Sequence, residues 1–282
     1  MVALHSLRPH PKTYFTSEPK KRAAYAPHTP RQNHLLAALP PEDLERLLPD
    51  LKPVPLPLGW NIYGARDQTK YVYFLAEGIV CRVYTMESGA STETGVTGRE
   101  GVVGIPSFLG GGTMPGEDVV LVTGYAYRLS EQLLRDEFNR GGPMHHLLLR
   151  YTQTLMTQIA QTVVCNRHHS LEQQFCRWLL ICLDRLPSRE LIMTQELIGN
   201  MLGVRREGIT EAAGNLQNAG LIEYHRGHIN VLDRPGLEAR VCECYAVVKK
   251  ECGRLLPVTP WGNRIYGLHP ICKERLKSTC TV

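Results

Sequence analysis

The chain has no apolar run approaching the 18 or so residues that a membrane-spanning helix needs, and its first residues lack the short apolar core and small-residue cleavage site of a signal peptide. A cytoplasmic protein with no membrane partner is therefore expected. No histidine occurs between Leu51 and Arg140, and no cysteine before Cys81. The missing histidines argue against a cupin-like metal enzyme, whose β-barrel needs a histidine-rich ligand set. No nucleophile–base constellation stands elsewhere: His145-His146 and His168-His169 fall on or beside one long helical stretch and read as partly exposed helix residues. No catalytic residue and no metal site is assigned, and the expectation is a protein that is not an enzyme.

A strong excess of charge is missing too. The formal net charge is +5, and after Asn166 sixteen Lys/Arg stand against twelve Asp/Glu. That balance permits nucleic acid as a partner without requiring it, so DNA binding has to rest on a motif. Nine cysteines are scattered along the chain. Cys81, Cys165, Cys176 and Cys182 lie in apolar surroundings and read as reduced, buried thiols. Cys242, Cys244 and Cys252 form a denser set. Read as helical, Cys242-x-Cys244 turns its thiols to different sides, which suits a metal poorly.

What is present is enough for two domains: 282 residues, 43% hydrophobic and 21% charged. Residues 1–33 mix Pro9, Pro11, Pro19, Pro27 and Pro30 with six basic residues and one acid, Glu18, and read as a disordered basic arm. A short helix with Leu35, Leu36, Leu39, Leu44, Leu47 and Leu48 follows around Pro40-Pro41. From Val54 to Leu129, runs rich in Val, Tyr and Ile alternate with glycine-bearing turns. The best strands are Tyr71–Leu75, Ile79–Tyr84, Val119–Thr123 and Tyr125–Leu129, which together predict one closed β unit within 34–142. Met144, Leu147, Leu148, Tyr151, Leu155, Ile159 and Val163 then recur at spacings of three and four, predicting a helix over 143–166. So long a stripe reads as a dimer seam, with Leu148, Tyr151, Leu155 and Ile159 as candidate interface residues. The stretch Val164–His169 reads as a hinge. A second helix starts at Ser170, whose hydroxyl forms a capping-box pattern with Gln173.

The informative segment runs from Thr194 to Ala212. Thr194 caps a helix facing Leu197, Ile198, Met201 and Leu202 inward, Gly203 turns the chain, and a second helix from about Arg205 buries Ile209, Ala213 and Leu216. Two short helices joined through glycine form the helix-turn-helix pattern, whose second helix enters the major groove. The candidate DNA-binding residues are Thr194, Arg205, Arg206, Glu207, Thr210 and Glu211. Arginine can bond guanine O6 and N7, and glutamate can accept from the cytosine amine. Arg206 and Glu207 are the expected base readers, and Arg205 and Thr194 the expected phosphate contacts. Leu221, Ile222, Ile229 and Val231 flank a turn at Gly227, predicting a two-stranded wing over a winged domain spanning 167–235. His225, Arg226 and His228 at its tip read as solvated turn residues.

Over residues 33–235 the sequence resembles the Crp/Fnr family of bacterial transcription regulators, most specifically from Thr194 to Thr210, where Ile198-Gly199, Gly203, Arg206 and Glu207 fall on the family's motif. The resemblance implies an α+β fold: an N-terminal antiparallel β-roll of the cyclic-nucleotide-binding-domain type, a long dimerisation helix and a C-terminal winged helix-turn-helix. It implies a homodimer on a two-fold symmetric operator of double-stranded DNA, with RNA polymerase a further partner such regulators can meet. The family's cyclic-AMP members bind the ribose through a glutamate and the phosphate through an Arg-Ser pair. Here Ile105 and Glu117-Asp118-Val119 occupy those positions, so cyclic AMP is not expected and no cofactor is evident. The Gly110–Gly112 run offers backbone amides but by itself is only a loop. The family's iron–sulfur and haem sensors need early cysteines or a β-roll histidine, both missing. Residues 236–282 extend past the family pattern, with Leu237, Val241, Val248, Cys252 and Leu255 predicting one further amphipathic helix. That extension keeps a second reading open, a β-roll signalling or interaction protein with redox-sensitive C-terminal cysteines.

Overall fold

The computed structural model describes residues 29–256. The basic arm before residue 29 and the tail after 256, with Cys272 and Cys280, lie outside the described residues. In chain order the elements are α1 (His34–Ala37), α2 (Pro41–Leu47), β1 (Lys52–Leu56), β2 (Asn61–Tyr63), β3 (Tyr71–Thr85), β4 (Ser91–Thr97), β5 (Val102–Val103), α3 (Pro106–Leu109), β6 (Glu117–Ser130), α4 (Glu131–Asn139) and α5 (Pro143–His168). Then follow α6 (Leu171–Leu183), β7 (Glu190–Ile192), α7 (Gln195–Leu202), α8 (Arg206–Asn218), β8 (Ile222–His225), β9 (His228–Val231), α9 (Arg234–Arg240) and α10 (Glu243–Leu255). The expected α+β architecture is present: an antiparallel six-stranded sheet in front and a helix-turn-helix with a small sheet behind. Among the described residues no helix is long and apolar enough to cross a membrane.

The four strands read from the sequence are two. β3 and β6 pair antiparallel from Tyr71↔Ser130 to Val83↔Glu117, with register shifts between Leu75 and Val80. Gly78 and Gly124 bend the ribbon there without ending it. A Cβ on Gly124 would stand 2.1 Å from the Glu77 carbonyl oxygen, and Gly78 has φ +90°, so both positions need a residue without a side chain.

Helix α5 corrects the candidate dimer interface. Leu148 is 0% and Tyr151 1% exposed within the single chain. They pack with Met144 and Leu147 on Leu35, Phe74, Val102 and Leu134 of the front domain. Tyr151 Oη sits 3.0 Å from Thr97 Oγ1, over Gly101, where a Cβ would come within 2.3 Å of it. These residues face their own β-roll, and Leu155 is half-buried against the same core. The opposite face carries Leu149, Met156 and Val163, exposed by 43, 66 and 65%, with half-buried Thr152 and Ile159 between them. The apolar spacing suggested a single stripe because three-and-four repeats on two adjacent faces overlap in sequence. The predicted hinge is also shorter than expected: α5 continues to His168, and the break is at His169, in extended conformation before the Ser170–Gln173 capping box of α6.

Every residue of α6 from Gln174 to Leu183 is buried, as expected for a helix packed on both sides. Its core joins Ile79, Cys81, Val83, Val96 and Leu121 of the roll to Ile198, Ile209, Leu216 and Ile229 of the rear domain. Two polar contacts cross this seam: the Trp178 indole donates to Glu93 at 3.1 Å, and Arg185 donates to Glu100 Oε1 at 2.7 Å. Burial pushes the Glu93 carboxyl up to about 7, opposed by the Trp178 hydrogen bond and the Arg177 and Arg185 charges. A folded pKa above the unfolded value means the proton is held more tightly in the native state. The stability it contributes is complete below the ordinary carboxylate pKa and is lost as pH rises through about 7. Urea unfolding between pH 5 and pH 8 should show this loss, up to about 3 kcal/mol. Glu93→Gln should flatten it, and parallel profiles for the two proteins would refute the assignment.

Candidate nucleic-acid interface

Thr194 ends the strand-like segment before α7 and caps the helix, its Oγ1 accepting from the Leu197 amide at 3.2 Å. Gly203 turns the chain in the left-handed region at φ 69°, a conformation that costs glycine nothing. It lies against the β-roll, where a Cβ would come within 2.4 Å of Thr92 Oγ1. Two further glycines let the helices approach: a Cβ on Gly199 would meet the Val204 carbonyl at 3.0 Å, and one on Gly208 would meet Leu171 at 2.7 Å. Helix α8 therefore seats Ile209, Ala212, Ala213 and Leu216 inward and turns its other face to solvent.

All six candidate contact residues are exposed. Arg205 is the N-cap of α8, with extended backbone, so it precedes the helix. Arg206 and Glu207 form the first turn, and Thr210 and Glu211 follow one turn on. None of Arg205, Arg206, Glu207 and Glu211 is engaged in an ion pair among the described residues. Thr210 differs from the rest: its hydroxyl lies 2.8 Å from Gln195 Oε1 and 3.1 Å from the Arg206 carbonyl, tying α8 to the start of α7.

An open cleft runs between α7, α8 and the wing, lined by Thr194, Gln195, Glu196, Arg206, Tyr224 and Arg226. Gln195 and Tyr224 were not singled out in the sequence. Gln195 could have been found as the neighbour of the cap. Tyr224 had no signal beyond strand alternation, since only the fold brings its hydroxyl to donate to the Met193 carbonyl at 2.7 Å. Burial pushes the Tyr224 phenol up to about 12, against the nearby Arg206 cation. Arg226 and Gly227 both have positive φ, 48° and 85°, the requirement of a two-residue primed hairpin turn. His228 Nδ1 is 2.7 Å from Glu190 Oε1. Glu190 belongs to β7, a strand the sequence pattern did not reveal, which makes the wing three-stranded in the order β7-β9-β8.

The β-roll positions that differ from cyclic-AMP binders are engaged within the chain. Asp118 receives both Arg82 Nε and Nη2 at 2.9 Å, Glu117 accepts from Asn61 at 3.1 Å, and Ile105 is buried in the front core. Within the glycine run, the Gly112 amide is taken by the Pro106 carbonyl.

A family model described as a Crp-like helix-turn-helix domain matches residues 173–240. No curated protein matches the sequence. Solved structures do match in fold. FixK2 from Bradyrhizobium japonicum is 16% identical, with 68% of this chain and 98% of that one covered and a TM-score of 0.60. The c-di-GMP responsive global regulator CLP of Xanthomonas campestris is 14% identical, covering 68% and 99%, with a TM-score of 0.56. TTHB099, a CRP-family transcriptional regulator from Thermus thermophilus, is 18% identical, covering 66% and 95%, also with a TM-score of 0.56. At these identities the solved structures establish the fold, while the matched domain is the part that carries α7, α8 and the wing. Residues 173–240 thus match a Crp-like helix-turn-helix domain, carried on a fold shared with solved regulators of the Crp/Fnr family.

Proposed function

We propose that the protein binds a two-fold symmetric operator as a homodimer, with Arg206 and Glu207 reading bases and Arg205 and Thr194 holding phosphate. The observation that carries this reading is the solvent-facing first turn of α8, where Arg206 and Glu207 stand exposed beside Arg205 without an internal ion pair. The N-terminal end of α8 favours a nearby phosphate. The Thr194 oxygen is used in capping, which leaves its proton for a phosphate oxygen. Thr210 supports the arrangement through Gln195, and Glu211 either accepts from cytosine or pairs with an arginine once DNA is bound. Binding to the protein's own upstream DNA in a salt titration is the direct test. Arg206→Ala should lower preference for the specific site by 10-fold or more, about 1–3 kcal/mol, while the salt-dependent background persists. Equal site preference in the two proteins would remove Arg206 from base reading.

The second copy is assigned to the outer face of α5. Leu149, Thr152, Met156, Ile159 and Val163 follow alternate spacings of three and four, the pattern of a two-stranded seam, and Leu149, Met156 and Val163 among them are exposed. Two copies joined there would need recognition helices about 34–36 Å apart to enter successive major grooves. Met156→Glu should give a monomer in sedimentation velocity. A variant that stays dimeric would place the interface elsewhere.

The β-roll does not hold cyclic AMP in the family's usual way, because Glu117 and Asp118 stand where that mode uses an arginine and a serine, and Asp118 is already paired with Arg82. It acts through another effector or without one. Cyclic AMP at 1 mM should leave the melting temperature unchanged within about 1 °C, whereas a ligand at 100 times its Kd stabilises by about 2.7 kcal/mol. A clear upward shift would overturn this.

A further inference from the structure

Three cysteines and one histidine, dispersed in sequence, meet where α5 ends and α10 begins. Cys165 lies in the last turn of α5 and His169 caps it. Cys242 is not helical, as its sequence spacing had suggested, but is the extended N-cap of α10, with Cys244 in the first turn. That change of backbone lets the two thiols of Cys242-x-Cys244 converge. One ligand atom from each of the four residues lies within 4.8 Å of all the others. Cys165 Sγ is 3.5 Å from Cys242 Sγ, and Cys244 Sγ is 3.6 Å from His169 Nδ1.

From these positions we propose that Cys165, His169, Cys242 and Cys244 form a structural zinc site that pins the C-terminal helix to the end of the long helix. A tetrahedral zinc ion with Zn–S of about 2.3 Å and Zn–N of about 2.0 Å separates neighbouring sulfurs by about 3.8 Å and sulfur from nitrogen by about 3.5 Å. The Cys165–Cys242 and Cys244–His169 separations, 3.5 and 3.6 Å, lie close to those edges, and all four ligand atoms stand within 4.8 Å of one another. A set this tight surrounds one ion and has no room for an iron–sulfur cube. Soft thiolates with one imidazole are the donor chemistry of a closed zinc site.

Three neighbours fit the same assignment. Glu243 Oε2 is 3.3 Å from His169 Nε2, so the proton belongs on Nε2 and the Nδ1 lone pair points into the cluster, the carboxylate–histidine arrangement of metal sites. The Gln174 side chain donates to the His169 carbonyl at 2.9 Å and holds the backbone at the break. Arg177, buried and bonded to the Thr162 hydroxyl at 2.5 Å, lines a small cavity shared with Cys165. It sets a cation beside a site whose three thiolates and one zinc carry a net negative charge. The thiols also behave unlike ordinary core residues: Cys165, Cys242 and Cys244 form a buried group of their own, apart from the three larger hydrophobic cores. Cys252, grouped with them by sequence, lies elsewhere, near Arg185 and Glu100. The site stands whether or not the chain reads DNA as proposed above.

The test uses the full chain, expressed without a polyhistidine tag and purified in reductant without chelator. Metal analysis should find about one zinc per chain. Replacing it with Co²⁺ should give the intense visible absorption of a tetrahedral thiolate site. Cys244→Ser should bind less than a tenth as much, with its fold checked by circular dichroism. If that variant does not fold, Glu243→Gln decides, because loss of the carboxylate should weaken zinc binding about 10- to 100-fold against a chromogenic chelator. Cys272→Ser with Cys280→Ser should leave the stoichiometry unchanged. The proposal is overturned if the wild type, purified in reductant, holds no zinc. Zinc retained with undiminished affinity in both the Cys244 and Glu243 variants would overturn it equally.

Discussion

Helix α6 is the constraint on which the rest of the molecule depends. It is buried on all sides, so it needs an apolar partner on each, and it finds the β-roll on one and the helix-turn-helix on the other. The two halves consequently share one hydrophobic cluster. A shared core carries polar groups only if they are paired, since an unpaired buried charge costs several kcal/mol. Glu93 is bonded to Trp178 and Glu100 to the Arg185 cation, and both pairs bridge the halves. The orientation of α8 relative to the sheet is therefore set by packing and by directional bonds together, and Gly203 against Thr92 is the point where the turn itself touches the roll.

Helix α5 is asked to do two things, and the structure gives each its own face. The inner face, with Leu148 and Tyr151, is consumed by the front domain. The outer face, with Leu149, Met156 and Val163, is left in water. Exposed apolar residues at such regular spacing point to another surface, and α5 ends where the cysteine cluster and the start of α6 meet. In the proposed dimer, a change in the pairing of two α5 helices would thus be delivered directly to the base of the helix-turn-helix domain.

Much of the site was legible in the sequence because its signals are local. A Thr cap, a left-handed glycine and a helix of alternating burial depend on residues within a few positions, so the segment from Thr194 to Leu216 could be placed and its exposed Arg206-Glu207 pair named. The turn at Gly227 was legible for the same reason. The continuity of β3 and β6 was not, because glycine marks both a turn and a bend, and only the facing position of Gly78 and Gly124 tells them apart. The extension was read as one helix, yet it is α9 and α10 broken at Val241-Cys242. The break gave no apolar signal, since the periodic positions continue across it.

By itself the sequence determined the order of the main blocks, the helix-turn-helix and the residues on its second helix, since caps, turn glycines and periodicity act over short range. Which face of α5 is spent inside the chain depends on where the β-roll lies, and a periodic pattern does not carry that information. The meeting of Cys165 and His169 with Cys242 and Cys244 depends likewise on α10 folding back along α5, with 77 positions separating Cys165 from Cys242. Only tertiary structure brings such distant atoms within bonding reach, because chain connectivity places no limit on their separation in space.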